Sequence, residues 1–166
     1  MLLRLSPAIK GIITTAFMIV VMFVLYNQGT DLNPRLLFLV YAVYGAGIIW
    51  TLLAYRQSPG FTGKFVDLFS QGFKCFIVVT LLIAIFYGFI NYLHPEFKEK
   101  SAEQYRVYLS KLTGEKQMLP AQIVDEVATY KKQYILKLVS GAIFGYLIIG
   151  AAVTSAAAVF LSKRKK

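Results

Sequence analysis

The chain has 166 residues, a length typical of one domain. It is 57% hydrophobic and only 16% charged, which excludes an ordinary soluble domain, where about a quarter of the residues carry charge. A net charge of +10 would favour nucleic-acid binding in a soluble protein, but here the lysines and arginines flank apolar stretches, where they meet anionic lipid headgroups. We therefore expect an integral membrane protein that binds the phospholipid bilayer and no nucleic acid.

Four apolar stretches predict four membrane-spanning helices. A helix needs about 20 apolar residues to cross about 30 Å of hydrocarbon. The first stretch resembles a secretory signal, but no small-x-small cleavage pattern follows it, so we expect an uncleaved anchor. The predicted spans cover approximately residues 7–26, 36–55, 75–93 and 138–162, in a single all-α membrane domain of residues 1–166.

The distribution of lysine and arginine predicts which side of the membrane each loop faces, because short cytoplasmic loops collect these residues. Between spans one and two, the short loop of residues 27–35 holds Arg35 alone, offset by Asp31. The other side collects the remaining flanking basic residues, so we expect both chain ends and the second loop in the cytoplasm. The candidate contacts with anionic lipid are Arg56, Lys64, Lys74, Lys163, Arg164, Lys165 and Lys166, with Arg4 and Lys10 on the same side.

The loop between spans two and three contains an amphipathic segment. Ser58-Pro59-Gly60 predicts a turn. Large apolar residues then recur at helical spacing with polar residues between them, which predicts a short helix of about residues 61–73 in the inner headgroup region. This helix either docks a partner or senses lipid, or it only guides the chain into span three. Its apolar residues are Phe61, Phe65, Leu68, Phe69 and Phe73.

The long loop of residues 94–137 predicts a helical hairpin. Apolar residues fall on one helical face up to Leu112, Gly114 is placed to end that helix, and Pro120 is placed to open a second one that continues into span four. At about 1.5 Å per residue, the two helices predict an antiparallel pair projecting about 25–30 Å beyond the membrane. The expected charge pairs join Glu96, Glu99 and Glu103 to Lys131, Lys132 and Lys137, and Arg106 to Asp125 or Glu126.

Small residues in the spans predict close helix packing, since glycine lets two backbones approach each other. Span four carries a Gly-x-x-x-Gly pattern and a third glycine, and span two carries two more. We expect these residues either to pack the four helices of one chain or to form a contact with a second copy or another membrane protein. The candidates are Gly45, Gly47, Gly141, Gly145 and Gly150.

The spans are poor in groups that carry chemistry. Residues 36–55, 75–93 and 138–162 contain no Asp, Glu, Lys, Arg or His, the residues that membrane enzymes and ion-coupled transporters place inside the bilayer. His94 is the only histidine and Cys75 the only cysteine, so neither a metal site nor a disulfide is expected, and Cys75 is predicted to be a buried thiol. We therefore expect no catalytic residue, no metal and no cofactor.

Two short motifs bracket span three, where QGFK at residues 71–74 precedes it and HPEF at residues 94–97 follows it. The stretch of residues 65–95 resembles the domain of unknown function 4199 family of bacterial inner-membrane proteins. The layout of the whole chain, with its four spans, its helical loop and its lysine-rich tail, resembles that family as well. The resemblance implies an inner (cytoplasmic) membrane location in Gram-negative bacteria. It implies no activity, cofactor or catalytic residue.

Two functions follow from these patterns, with an enzyme third. The first is a non-catalytic subunit or scaffold of a membrane complex, whose partner is another membrane protein or a second copy of the chain. The alternative is a small carrier or accessory protein for a lipid-linked or anionic lipid substrate, held in an uncharged groove between spans two and four that Arg56, Lys64 and Lys74 rim. The candidate partner-binding residues are Tyr105, Tyr108, Leu112 and Ile123.

Overall fold

The structure is a computed structural model that describes residues 5–27 and 34–162, with side chains except at residues 26, 27, 34–37 and 115. Within these residues the chain is all-α, as predicted, with five α-helices and one short 3-10 helix, Gly114–Lys116. The α-helices are α1 (Pro7–Asn27), α2 (Pro34–Arg56), α3 (Phe65–Leu93), α4 (Glu96–Ser110) and α5 (Pro120–Ser162).

Four of these helices, α1, α2, α3 and α5, are long and apolar enough to cross a membrane, with mean hydropathies between 1.7 and 2.4. The 21 residues of α1 and 23 residues of α2 match the roughly 20 that a bilayer requires. The 29 residues of α3 and 43 residues of α5 exceed that length, so both helices extend past one bilayer thickness. The four candidate spans indicate a multi-pass membrane protein.

The start of α3 differs from the predicted separate interfacial helix. Residues 61–64 lie in the loop, and α3 then runs from Phe65 to Leu93 without a break, so the amphipathic segment is the first part of a long helix. No proline interrupts this stretch, and Gly72 in its interior costs only about 1 kcal/mol relative to alanine. Phe65 stacks on Phe69 one turn later, with ring centroids 5.8 Å apart, which supports the continuous helix.

The turn before α5 uses the glycine and the proline that the sequence indicates. α4 ends at Ser110, and Gly114 has a φ of 69°, a left-handed conformation that strains residues with a side chain. Pro120 is the first residue of α5, a position where its missing N–H has no intrahelical partner to lose. Gly114 therefore marks the turn between the helices and not the last residue of α4.

The chain divides into two compact units, each described by itself. Unit 1 contains α1, α2, α3 up to Ile83 and α5 from Ile143 onward. Unit 2 is Ala84–Ala142, which contains α4 and the remaining parts of α3 and α5.

In unit 1, α1 and α2 pack as an antiparallel pair. The ammonium group of Lys10 lies 5.6 Å from the centre of the Trp50 ring. Thr14, one turn later in α1, lies against Gly47, about one turn earlier in α2. The residue numbers of the contacts decrease along α2 as they increase along α1, so the two helices run in opposite directions.

α3 and α5 are also antiparallel in unit 1. Gly72 lies against Thr154, and Phe76, one turn later in α3, lies against Gly150, one turn earlier in α5. Both contacts place a glycine of one helix against a larger side chain of the other, which lets the two backbones approach closely.

Tyr44 joins α2 to α5. Its side chain is fully buried, its hydroxyl donates a 2.8 Å hydrogen bond to the carbonyl oxygen of Tyr146, and the two rings meet edge to face with centroids 5.2 Å apart. Further along both helices, Leu53 and Ala157 line one groove. The residue numbers of neighbouring positions therefore increase together along α2 and α5, and the two helices run parallel. The four long helices therefore alternate in direction along the chain, as a chain that crosses a bilayer four times requires.

Candidate interaction surfaces

Two of the five predicted packing glycines lie at close helix contacts. A Cβ atom at Gly47 would lie 2.8 Å from Cβ of Thr14, and one at Gly150 would lie 2.8 Å from Cγ of Phe76. Both distances are shorter than atomic contacts allow, so only glycine fits without a shift of the neighbours. The other three candidates meet nothing within 4 Å of such a Cβ atom: Gly45, Gly141 and Gly145.

Two further glycines with the same role are absent from the predicted set. A Cβ atom at Gly11 would lie 2.8 Å from the carbonyl oxygen of Cys75, and one at Gly72 would lie 2.9 Å from Oγ1 of Thr154. Gly11 thus brings α1 against the backbone of α3, while Gly72 brings α3 against α5. Neither glycine belongs to a Gly-x-x-x-Gly pattern, so the sequence offers no signal beyond their small size.

Lys10 lies inside unit 1 and not at an open flank. Its side chain is only 3% exposed and its ammonium group lies over the Trp50 ring. A desolvated cation on an aromatic face gains about 2 kcal/mol. Cys75 is a free, fully buried thiol, as the sequence predicts.

The candidate lipid contacts that the structure describes lie next to the spans on different elements. Arg56 is the last residue of α2 and is half-buried, whereas Lys64 in the following loop and Lys74 in α3 are exposed. The remaining candidates lie outside the described residues: Lys163, Arg164, Lys165 and Lys166.

A groove of about 410 Å³ separates the ends of α2 and α5 in unit 1. Every side chain in its wall is apolar, as the uncharged groove expected between spans two and four would be. The lining residues are Ile49, Leu53, Val153, Ala156, Ala157, Phe160 and Leu161.

Four tyrosines of unit 2 form a series of ring contacts, the tyrosine ladder: Tyr108, Tyr105, Tyr130 and Tyr134. Tyr105 of α4 stacks on Tyr130 of α5 with ring centroids 4.6 Å apart. Tyr108 stacks on Tyr105 at 6.4 Å, and Tyr130 contacts Tyr134 at 5.9 Å. Aromatic pairs contribute about 0.5–1.5 kcal/mol beyond their buried area, so the ladder holds α4 against α5.

α4 and α5 run in opposite directions within unit 2. The hydroxyl of Ser101 donates a 3.4 Å hydrogen bond to the hydroxyl of Tyr134, whereas Tyr105, one turn later in α4, meets Tyr130, one turn earlier in α5. Ala102 and Leu109 are the buried residues of α4.

The predicted partner-binding residues occupy two different environments. Tyr108 is 59% exposed at the end of the tyrosine ladder. Tyr105 is half-buried inside the ladder, and Leu112 and Ile123 are half-buried near the turn between the helices. The structure therefore leaves Tyr108 as the most accessible of the four.

The charge pairs of unit 2 agree in part with those expected from the sequence. Lys131 of α5 pairs with Glu99 of α4, which is one of the expected combinations. Arg106 lies 3.7 Å from Glu103 on its own helix, not against an acidic residue of α5. Residues three apart on a helix are always neighbours, so Glu103 lies within reach of Arg106 whichever residues α5 places opposite.

Two carboxylates of α4 have partners that alter their titration. The hydrogen bond from Lys131 lowers the pKa of Glu99, and the hydrogen bond with His94, whose Nδ1 lies 2.6 Å from the carboxylate, lowers the pKa of Glu96. Because each folded-state pKa is the lower one, each interaction stabilises the fold above the ordinary pKa of glutamate. That stabilisation is lost as the pH falls through the lowered value.

Replacing the partner of each glutamate in turn should show that the two carboxylates titrate independently. Lys131→Met is expected to return the pKa of Glu99 to its ordinary range and to leave that of Glu96 unchanged, and His94→Ala is expected to do the reverse. An NMR titration of carboxyl carbons in glutamate-labelled protein measures both groups. A change in both pKa values in either single variant would contradict two independent pairs.

Residues 5–27 and 34–162 contain no group of three His, Cys, Asp or Glu side chains able to hold a metal ion. The buried hydroxyls of Thr14, Thr15 and Thr51 each donate to the carbonyl oxygen four residues earlier, at 2.8–2.9 Å. Such bonds satisfy hydroxyls within their own helix, which is the usual arrangement in an apolar environment.

The chain matches the family model described as "Protein of unknown function (DUF4199)" over residues 10–163, and it belongs to that family, as the sequence resemblance indicated. Comparisons with curated proteins and with solved structures gave no match. The family description carries no activity, so the function has to be argued from the surfaces of the two units.

Proposed function

We propose that this member of the domain of unknown function 4199 family is a non-catalytic subunit or scaffold of a membrane complex, and that unit 2 binds the partner. In this account the chain crosses the bacterial inner membrane four times, with both ends in the cytoplasm. α4 and the first part of α5 then form a helical hairpin on the far side. The alternating directions of the long helices support four crossings, and the flanking basic residues support the direction.

The observation that carries the proposal is the exposed end of the tyrosine ladder. Tyr108 is large and 59% exposed, and it lies in the polar segment between the third and fourth spans, which this proposal places outside the bilayer. Tyrosine is enriched at protein interfaces because one rigid ring supplies a large contact area at low entropic cost. Three other large apolar side chains of the same unit are also exposed: Val107, Leu119 and Val124.

The rest of the ladder prepares Tyr108 for binding. Tyr105 stacks on Tyr130, and Tyr108 stacks on Tyr105, so its ring is already held in one orientation before a partner arrives. Fixing a side chain in advance lowers the entropy lost on association. A purely structural role would account for the contact between Tyr105 and Tyr130, but it would not account for the exposure of Tyr108.

The polar groups of the spans support a non-catalytic function. The hydroxyls of Thr14, Thr15 and Thr51 in unit 1 are used by their own helices, and Lys10 is covered by Trp50. Groups that act on a substrate would need to face a cavity that the substrate can enter. These groups instead stabilise individual helices and their packing.

Tyr108→Ala is expected to weaken partner binding about 30-fold, because truncating an aromatic anchor at the centre of an interface costs about 2 kcal/mol. Tyr92→Ala is the matched control, since Tyr92 is 80% exposed but lies at the end of α3, within the third span. Purification in mild detergent, with the co-purifying protein quantified per chain, measures both variants.

Two results would count against the proposed function. One is a chain that runs alone in every mild detergent, with neither a stoichiometric partner nor self-association. The other is equal partner retention by the wild type and Tyr108→Ala, which would place the interface elsewhere.

A further inference from the structure

Two lysines lie at the same level of the helix pair in unit 2. Lys98 lies two turns before Tyr105 on α4, and Lys137 lies two turns after Tyr130 on α5. Because Tyr105 stacks on Tyr130 and the two helices are antiparallel, Lys98 and Lys137 come level with each other on the facing sides of α4 and α5. Lys98 is half-buried, which agrees with this position. The helix pair therefore brings two positive charges together.

Neither lysine has an acidic partner among the side chains that the structure describes. The ion pairs of α4 use its glutamates elsewhere: Glu96 with His94, Glu99 with Lys131 and Glu103 with Arg106. The ammonium group of Lys137 lies 6.0 Å from the centre of the Tyr130 ring. Like charges on facing helices repel each other, and partial burial weakens the screening of that repulsion by water. An anion bound between the two lysines would remove the repulsion.

Two hydroxyl groups lie about one turn from the lysines. Ser101 follows Lys98 by three residues in α4, and Tyr134 precedes Lys137 by three residues in α5. The hydroxyl of Ser101 donates to the hydroxyl of Tyr134, which is only 8% exposed. Among the residues that the structure describes, the hydroxyl proton of Tyr134 then has no acceptor. A buried tyrosine hydroxyl usually finds a partner, so this proton can be donated to a ligand that brings an acceptor oxygen.

We propose that Lys98, Ser101, Tyr134 and Lys137 form a binding site for a phosphate group. The two ammonium groups supply positive charge, and the Tyr134 hydroxyl donates a hydrogen bond to a phosphate oxygen. Lysine binds phosphate as a point charge on a flexible stem, which suits a site whose two lysines belong to different helices. The site goes beyond the proposed partner binding and does not use the exposed end of the tyrosine ladder.

The headgroup of a membrane phospholipid is the source of phosphate that the position of the site favours. Lys137 is followed by Leu138, where the uncharged stretch of the fourth span begins. Basic residues at such a boundary meet lipid headgroups. The choice of a lipid rests on the four crossings proposed above, whereas the phosphate site itself does not. A free phosphate ion has the same chemistry, so the test compares the two sources.

Native mass spectrometry of the full-length protein, delipidated in mild detergent, measures binding from each source. Phosphatidylglycerol is compared with diacylglycerol of the same acyl chains, which lacks the phosphate, and inorganic phosphate is titrated separately. The wild type is expected to bind phosphatidylglycerol at least about 25-fold more tightly than diacylglycerol, since each lysine contributes about fivefold.

Substitutions at the site are expected to remove this preference in steps. Lys98→Gln and Lys137→Gln should each weaken phosphatidylglycerol binding about fivefold. Tyr134→Phe should weaken it about tenfold, because it removes a hydrogen bond to a charged group and keeps the buried ring. Lys137→Arg keeps the charge and should bind as the wild type does, so a loss in Lys137→Gln alone reports the charge and not the fold. Lys132→Gln is the matched control, because Lys132 is exposed and lies about 200° around α5 from Tyr134.

Three outcomes would overturn the phosphate site. The first is a wild type that neither prefers phosphatidylglycerol to diacylglycerol nor binds inorganic phosphate. The second is equal binding by the wild type, Lys98→Gln and Lys137→Gln. The third is an equal loss in Lys132→Gln, which would reduce the effect to the general charge of the surface. Binding of inorganic phosphate alone, weakened by the same variants, would support the site with a soluble ion as its ligand.

Discussion

Alanine at Gly47 is expected to destabilise unit 1 by about 1–3 kcal/mol, whereas alanine at Gly45, two residues earlier in the same helix, is expected to be neutral or slightly stabilising. At Gly47 the new methyl group would lie 2.8 Å from Cβ of Thr14. Thr14 is β-branched and buried, so it has little freedom to move away. At Gly45 the methyl group meets nothing within 4 Å, and alanine favours a helix by about 1 kcal/mol over glycine.

α5 offers the same comparison. Gly150→Ala is expected to destabilise by a similar amount, because its methyl group would lie 2.8 Å from the Phe76 ring, whereas Gly145→Ala is expected to be tolerated. Trp50 is the only tryptophan and lies in unit 1, so its fluorescence reports on the unfolding of that unit in detergent. Equal effects at the contacting and open glycines of either helix would contradict the packing of these helices.

Truncation of Tyr44 is expected to have the second large effect. Tyr44→Ala should lower the free energy of unfolding of unit 1 by about 2–3 kcal/mol. A buried ring in a membrane protein gains little from leaving water, so the cost comes from the cavity left behind. That cavity is about 100 Å³, and each Å³ costs about 24 cal/mol. Phe38→Ala removes an exposed ring from the same helix and is expected to change stability by less than about 0.5 kcal/mol.

Tyr44→Phe separates the ring from the hydroxyl. This substitution is expected to lower the free energy of unfolding by about 0.6 kcal/mol and at most about 1.7 kcal/mol, the average and the maximum for hydrogen bonds between membrane-spanning helices. The Tyr146 carbonyl lies within α5 and keeps its helical partner when the hydroxyl of Tyr44 is removed. Trp50 fluorescence during denaturation in detergent measures all three variants, and a loss in Tyr44→Phe as large as in Tyr44→Ala would contradict this division.

The sequence predicts the long helices well because their cause is local. A run of about 20 apolar residues crosses a bilayer whatever the rest of the chain does. The turn at Gly114 and the start at Pro120 likewise follow from the conformational limits of those two residues. The separate interfacial helix was not found, because the change from amphipathic to apolar pattern near Gly72 does not itself interrupt the backbone.

The contacts between helices were less predictable, since they depend on which faces meet. Gly47 and Gly145 look alike in sequence, yet one lies against Thr14 and the other against open space. Lys10 resembles an ordinary flanking charge until α2 places Trp50 beside it. In unit 2 the pair of Lys131 with Glu99 was expected, because the antiparallel register alone brings such charges together.

The side of the membrane on which unit 2 lies is the central claim, and single-cysteine labelling tests it most directly. Cys75→Ala removes the only thiol, after which Gln117→Cys places a reporter between α4 and α5, and Gln57→Cys places one after α2. With the inner membrane intact, an impermeant maleimide is expected to label the reporter at position 117 and not the one at position 57. The reverse pattern, or equal labelling of both, would contradict four crossings with both chain ends in the cytoplasm.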